Sequence, residues 1–189
     1  MIEFTVWSRI THGQRNNCAR GPRIRSGGQT GVDRAALDAA VLMGRTYEGW
    51  CPKGGWAEDF LRPPGLLTIY PHLMETPSES PEQRTEWNVR DSAATVVFVP
   101  NSKYCSAGTD FTIECAKKHG KPYCILHYLD RGAIIGLKNM ISQLGGAQSL
   151  NFAGPRESEH LGAYDLCLAI FIEALASHCG KNSDPKPTN

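Results

Sequence analysis

Residues 26–34 (SGGQTGVDR) are the stretch that decides the fold of this chain. Three glycines lie within five residues, and the run that follows has apolar residues three and four positions apart, which predicts an amphipathic helix. We expect Thr30 to cap this helix and Asp33 to reach back to its first amides. A glycine turn that leads into a helix N-terminus is typical of a phosphate seat. The alternative is a tight turn and a capped helix without a ligand.

Predicted strands and helices alternate along the rest of the chain. The predicted strands are residues 22–25, 46–51, 66–70, 94–99, 122–126 and 149–153. The predicted helices are the one after Gly31, residues 81–92, one that begins near Ser106, residues 131–144 and residues 163–177, with a surface loop over residues 71–83. The stretch 94–99 (ATVVFV) is apolar throughout, as in a strand covered on both faces of a parallel sheet. The alternation predicts a doubly wound, mostly parallel α/β domain in three layers.

A second glycine turn follows the strand at residues 94–99. It lies in residues 106–116 (SAGTDFTIECA), which also lead into a predicted helix. In a doubly wound sheet, ligands bind beyond the carboxyl ends of the strands, where the strand order reverses. Because both glycine turns follow strands, we expect them to face one anion-binding crevice.

Composition and charge restrict the class of protein. The chain has 189 residues, 41% hydrophobic residues and a net charge of +1, which suits one globular domain and argues against broad binding to nucleic acid or to a membrane surface. Seven cysteines form no CxxC pair, and the six histidines lack ligand spacing, so we expect reduced thiols and no metal site. With no apolar run of membrane-spanning length, the interpretation is a cytoplasmic protein.

The chain ends differ from the predicted domain. Residues 1–21 form an extension of uncertain order, residues 22–178 a single ligand-binding domain, and residues 179–189 a polar tail. The last predicted helix is apolar nearly all round, which predicts a homo-oligomer, a tetramer or a dimer, that covers its outer face.

Several separate motifs resemble the molybdenum cofactor carrier family, and together they span about residues 22–175. They are residues 26–35 (SGGQTGVDRA), residues 49–54 (GWCPKG) with residues 57–59 (AED), Arg84 and Thr85 with Asn88 and Val89, Gly108 and Thr109 with Thr112, and residues 151–158 (NFAGPRES). The resemblance implies a Rossmann-like fold within the SLOG superfamily. It further implies a homo-oligomer that binds and protects molybdenum cofactor, a phosphorylated molybdopterin, without required catalysis, and that hands it to molybdoenzyme acceptors.

The same superfamily includes the cytokinin-activating phosphoribohydrolases, which are often described as lysine decarboxylase-like. Those enzymes carry a catalytic glutamate in their second glycine motif and an arginine upstream of it. Arg84 fits the arginine, but Thr112 stands where the glutamate would be, and Glu114 is two residues too late. Because threonine cannot supply a carboxylate, the carrier interpretation is favoured and no catalytic residue is assigned. A nucleotide-binding protein or a hydrolase of nucleoside monophosphates is the alternative.

The expected binding residues combine both glycine turns with nearby basic and polar groups. They are Gly27, Gly28, Gln29, Thr30, Gly31, Asp33, Lys53, Gly54, Arg84, Asn88, Gly108, Thr109 and Thr112. Backbone amides and hydroxyls would bind phosphate, whereas Lys53 and Arg84 would neutralise its charge. Arg156 either reaches the crevice or pairs with Glu157 or Glu159.

Overall fold

The computed structural model describes residues 21–104 and 106–176, which form one six-stranded sheet with helices on both faces. The strands are β1 (Arg23–Arg25), β2 (Tyr47–Cys51), β3 (Leu73–Glu75), β4 (Ala94–Val99), β5 (Tyr123–His127) and β6 (Ser149–Ala153). The helices are α1 (Val32–Leu42), α2 (Pro81–Arg90), α3 (Ala107–Lys118), α4 (Gly132–Ser142) and α5 (Ala163–Ala176). This confirms the predicted three-layer, Rossmann-like α/β fold.

All strand pairs are parallel, and the strand order is β3-β2-β1-β6-β4-β5. The last strand in the chain, β6, lies between β1 and β4, where Leu150 is opposite both Ile24 and Ala94. Counted from β6, the order becomes 4-3-2-1-5-6, which winds outward in both directions. The switch point of the sheet therefore lies at the carboxyl ends of β1, β6 and β4.

The main core lies between the sheet and the layer of α1, α4 and α5. Three buried aromatic rings from β4, β6 and α5 meet there: the ring of Phe171 is 4.8 Å from that of Phe98 and 5.0 Å from that of Phe152. Such edge-to-face pairs each add about 0.5–1.5 kcal/mol beyond the burial of their area. They fix β6 in the centre of the sheet, which positions the loop that follows it.

The opposite face of the sheet, under α2 and α3, is more polar. Asn151 of β6 lies in register with Arg25 on one side and Thr95 on the other, and all three side chains are buried. The Asn151 amide donates a 3.3 Å hydrogen bond to the Thr95 hydroxyl. The apolar cluster on this face is small, since it consists of Val89, Cys115 and Ala116. This face can therefore form the polar floor of a crevice.

The strand predicted over residues 66–70 is wrong. Residues Gly65–Thr68 form a 3-10 turn, and β3 lies instead within the predicted surface loop 71–83. Leu66 and Tyr70 are buried with Leu37 of α1, so this apolar run packs beneath a helix and does not form a strand. The real strand is short, and only Leu73 of its three residues is buried.

The last helix packs against both α1 and α4. Six of its residues are buried within the monomer: Ala163, Cys167, Ile170, Phe171, Ala174 and Leu175. The outward residues Leu166, Ala169 and Glu173 are exposed. The apolar surface that this helix offers is therefore narrower than its composition predicts.

Some predictions concern residues outside the described ranges. The extension 1–21 lies outside them except for Gly21, and the tail 179–189 lies wholly outside. Across residues 21–104 and 106–176, no helix has the length and apolar character needed to cross a membrane.

Candidate functional site

A crevice of about 430 Å³ opens at the switch point, beyond the carboxyl ends of β1, β6 and β4. Helix α2 forms one wall, the N-terminus of α3 forms the other, and the segment after β6 forms the rim. The residues that contribute most polar groups are Gln29, Asp33, Glu82, Arg84, Asn88, Ser106, Gly108, Thr112, Asn151, Arg156 and Glu159. Pockets of this size hold small organic ligands.

Arg84 and Asp33 form an ion pair in this crevice. Arg84 Nη1 donates to Asp33 Oδ2 at 2.8 Å, and the two side chains are 13% and 5% exposed. Burial raises the pKa of Asp33 above its ordinary value, although the neighbouring Arg84 guanidinium acts against this shift. A Cβ on Gly27 would lie 2.8 Å from Arg84 Cζ, so glycine is needed there for the arginine to lie across the turn. Asp33 thus orients Arg84, and its carboxylate also accepts a hydrogen bond from the backbone of Gln29, in the turn that precedes α1.

Backbone amides at the first glycine turn already have hydrogen-bond acceptors within the protein. The Thr30 amide donates to Gln29 Oε1 at 3.0 Å, and the Val32 amide donates to the carbonyl of Pro155 at 3.2 Å. The N-cap of α1 is Gly31, and no side chain caps it, so the prediction that Thr30 caps the helix is wrong. The Thr30 hydroxyl instead donates to Glu58. Of the residues in this turn, only Gln29 lines the crevice.

The second glycine turn offers a more open helix N-terminus. Ser106 is the N-cap of α3, and its hydroxyl accepts the Thr109 amide at 3.2 Å. Ala107 and Gly108, the next two residues, line the crevice, and their amides have no acceptor within the helix. These donors and the helix dipole favour an anion at this wall. The Thr112 hydroxyl donates to the Gly108 carbonyl at 2.8 Å, so Thr112 supports the turn.

Lys53 and Gly54 lie outside this crevice. They line a second cleft of about 400 Å³, here called the side cleft, together with Trp56, Phe60, Leu61, Pro63, Glu79 and Pro81. Asn88 does line the crevice, but its side chain is occupied by the backbone of β2: its oxygen accepts the Trp50 amide at 2.8 Å and its nitrogen donates to the Trp50 carbonyl at 2.9 Å.

Five of the residues that contribute most polar groups to the crevice were not assigned as binding residues from sequence: Glu82, Ser106, Asn151, Arg156 and Glu159. Asn151 lies in residues 151–158, one of the motifs that resemble the carrier family, and this motif was the sequence signal that could have identified it. Ser106 lies in the second glycine turn. The side-chain direction of Arg156 was left open. Its guanidinium reaches the rim of the crevice and makes no ion pair within residues 21–104 and 106–176, while its backbone amide donates to Glu159 at 3.0 Å. Arg156 is therefore a basic side chain available to a crevice ligand.

The carboxylates Glu58 and Asp59 point to different partners. Glu58 accepts from Thr30 and, at 2.6 Å, from the Ser158 hydroxyl, whereas Asp59 binds both Nη atoms of Arg34 at 2.9 Å. Partial burial acts to raise the pKa of Glu58, but hydrogen bonds from Ser158 and Thr30 hold it below its ordinary value. In the described part of the chain, no group of three or more His, Cys, Asp or Glu side chains could hold a metal ion.

The fold is that of a Rossmann-like α/β protein. In this class of protein, ligands bind at the switch point of the parallel sheet, and the polar crevice lies at this position. The model of the "Circularly permutated YpsA SLOG family" matches residues 24–175, and the chain belongs to this family. The permutation agrees with the central place of β6, the last strand in the chain.

One solved structure is similar over most of the chain. It is a Syntrophus aciditrophicus SB protein named "putative molybdenum carrier protein", which is 34% identical, has a TM-score of 0.69, and covers 82% of this chain and 96% of its own. No curated protein matches this chain.

Proposed function

We propose that this protein binds and protects molybdenum cofactor, with the phosphorylated molybdopterin as its cargo. The single observation that carries the proposal is the crevice between α2 and α3, which combines an open helix N-terminus with Arg156 at its rim, an arginine without a close ion pair in the described part of the chain. The proposal agrees with the name of the Syntrophus protein and with the family of this chain.

The donors of the crevice suit a phosphorylated heterocycle. The amides of Ala107 and Gly108 would bind the phosphate, because they have no acceptor within their helix. Arg156 would neutralise its charge, and Asn151 on the floor supplies an amide that can bind the polar edge of a pterin ring. The volume of about 430 Å³ is sufficient for one such ring system.

The alternative is a phosphoribohydrolase-like enzyme or a nucleotide-binding protein. Two carboxylates in the crevice, of Glu82 and Glu159, keep this alternative open. Position 112 argues against it, because the Thr112 hydroxyl is bonded to the Gly108 carbonyl and supplies no carboxylate. Release of adenine from adenosine monophosphate by the purified protein would favour the enzyme over the carrier. A Thr112→Glu variant that gains this activity would show that the natural site is not built for the reaction.

The deciding experiment is native mass spectrometry, with metal analysis, of protein purified gently under anaerobic conditions. We expect a bound pterin and stoichiometric molybdenum in the wild-type protein, and loss of both in Arg156→Ala. An Arg131→Ala variant is the matched control, because Arg131 is exposed and lies at the start of α4, outside the crevice. A bound nucleotide without molybdenum would overturn the carrier proposal in favour of the alternative.

We further propose a homo-oligomer, a tetramer or a dimer, that transfers the cargo to molybdoenzyme acceptors. The exposed apolar residues of α5 support an interface there, with Leu166 at 41% exposure, although most apolar side chains of this helix are already buried in the monomer. Light scattering at low protein concentration tests the oligomer, and a uniform monomer would contradict it.

A further inference from the structure

The side cleft adjoins the crevice. Pro81 lines both, since it begins α2 at their common border. Arg156, on the crevice side of this border, places its guanidinium carbon 6.0 Å from the centre of the Trp56 ring, which lines the side cleft. The two clefts are therefore neighbouring compartments, divided by Pro81 and by the contact between Arg156 and Trp56.

Each compartment has a basic side chain that forms no close ion pair in the described part of the chain, although the charge of Arg156 also acts on Glu58 and Glu82 from farther away. Arg156 on one side and Lys53 on the other make no ion pair with any described residue. By contrast, Arg84 is paired with Asp33 and Arg34 with Asp59. Two cations without close ion pairs, on either side of one proline, match a ligand that carries negative charge across the border, and they would also offset the carboxylates of Glu82 and Glu79 that line the two compartments.

The lining of the side cleft suits a flat ring. Trp56 and Phe60 offer aromatic surfaces, and Leu61 is 72% exposed beside them. Aromatic side chains stack on nucleobases with little dependence on base identity. The side cleft has a volume of about 400 Å³, close to that of the crevice, and so has room for a second ring system.

We propose that the ligand is a dinucleotide form of the phosphorylated pterin. Its pterin occupies the crevice, and the phosphate next to the pterin lies between Arg156 and the amides of Ala107 and Gly108. The second phosphate crosses Pro81 toward Lys53, and the second base stacks in the side cleft on Trp56 and Phe60. The inference rests on the proposed carrier function for the identity of the pterin. It adds that the protein distinguishes the dinucleotide from the mononucleotide form of the cofactor, which is the phosphorylated molybdopterin without a second base.

The test compares the affinity of the full chain for two probes, the mononucleotide molybdenum cofactor and its guanine dinucleotide, under anaerobic conditions. We expect the dinucleotide to bind the wild-type protein at least about tenfold more tightly. This preference should disappear in Lys53→Ala and in Trp56→Leu, and in Lys53→Ala the affinity for the mononucleotide should stay unchanged. Lys117→Ala is the matched control, because Lys117 is exposed near the far end of α3.

The outcomes separate this inference from the proposed function. Equal affinity of the wild-type protein for both probes would overturn the inference and leave the carrier function standing. A preference for the dinucleotide that survives in both Lys53→Ala and Trp56→Leu would overturn the assignment to the side cleft. Failure of both probes to bind would overturn the carrier function, and this inference with it.

Discussion

Arg84 Nη1 lies 2.8 Å from Asp33 Oδ2, and this ion pair joins the wall helix α2 to the first turn of α1. Both side chains are largely buried. Each charge therefore depends on the other, because a buried charge without a partner is costly. The pair also holds Arg84 over Gly27, where it shapes the end of the crevice.

Removing only the arginine should be strongly destabilising. In Arg84→Met, Asp33 loses the partner that acts against its raised pKa, so we expect a loss of about 3 kcal/mol in the free energy of unfolding at pH 7. A carboxyl whose folded-state pKa is raised loses stability as pH rises above its unfolded value. The difference from wild type should therefore be smallest near pH 4 and grow toward neutral pH, as measured by urea unfolding at several pH values.

The double variant Asp33→Asn with Arg84→Met is the control for buried charge. It leaves no ionised group at the pair, so it should recover most of the lost stability and show little pH dependence over the same range. If the double variant is as unstable as Arg84→Met and follows the same pH curve, the cost lies in packing and the ion pair has been misjudged.

Gly31 of the first glycine turn and Gly108 of the second should respond in opposite ways to substitution by alanine. At Gly31 the backbone has φ of 72°, and a Cβ would lie 2.8 Å from the backbone nitrogen of Glu157, so Gly31→Ala should cost about 3 kcal/mol or more. At Gly108 a Cβ meets nothing within 4 Å, so Gly108→Ala should keep or raise the melting temperature. Because Gly108 lines the crevice, however, the added methyl group should weaken ligand binding. Calorimetry and ligand titration measure both effects.

A sheet order that places β6 in the centre follows from long-range pairing, which the sequence pattern alone does not specify. The strand at residues 94–99 was predictable because a short, uninterrupted apolar run is typical of a strand that is covered on both faces of a parallel sheet. The apolar run at 66–70 was misassigned because burial beneath α1 and burial in a sheet produce similar patterns. The sequence thus predicts the type of a secondary-structure element best where only one packing environment is consistent with its residues.

Local motifs marked Arg84 and the second glycine turn, which line the crevice, whereas of the first glycine turn only Gln29 lines it. The separation of Lys53 from the crevice was not predictable, because the course of the loop after β2 depends on tertiary contacts. The hydroxyl of Thr30 looked like a helix cap, but its partner Glu58 is 28 residues away in sequence. Local capping rules cannot anticipate such a competitor.

The thiols of Cys51 and Cys167, which are buried, and of Cys124, which is half-buried, should react slowly in the native protein. Burial raises the pKa of Cys51 to about 11 and that of Cys124 to about 11, and it also raises the pKa of Cys167. Since the thiolate is the reactive form, these three residues should resist iodoacetamide at pH 8 and be labelled only after unfolding. Peptide mass spectrometry measures this, and rapid native labelling of Cys167 would show that α5 opens away from α1 and α4.

Glu58 fastens the segment after β6 to the first glycine turn. Its carboxylate accepts hydrogen bonds from Thr30 and from the Ser158 hydroxyl, while the Glu157 amide donates to the Thr30 hydroxyl at 3.2 Å. This network holds the rim that carries Arg156 against α1. We therefore expect Glu58→Gln to cost about 1 kcal/mol at pH 7 and to weaken ligand binding through a less ordered rim.

The pH dependence of Glu58→Gln separates this carboxylate from simple packing. A carboxyl whose folded-state pKa is lowered stabilises the protein above its unfolded pKa, and this contribution is lost as pH falls through the folded value. The stability difference between wild type and Glu58→Gln should thus shrink below pH 4 in urea unfolding. Glu79→Gln is the control, because Glu79 is exposed and has no hydrogen bond among the described residues, so this variant should match wild type throughout. A difference for Glu58→Gln that is constant from pH 3 to pH 7 would mean that the ionised carboxylate does not hold the rim.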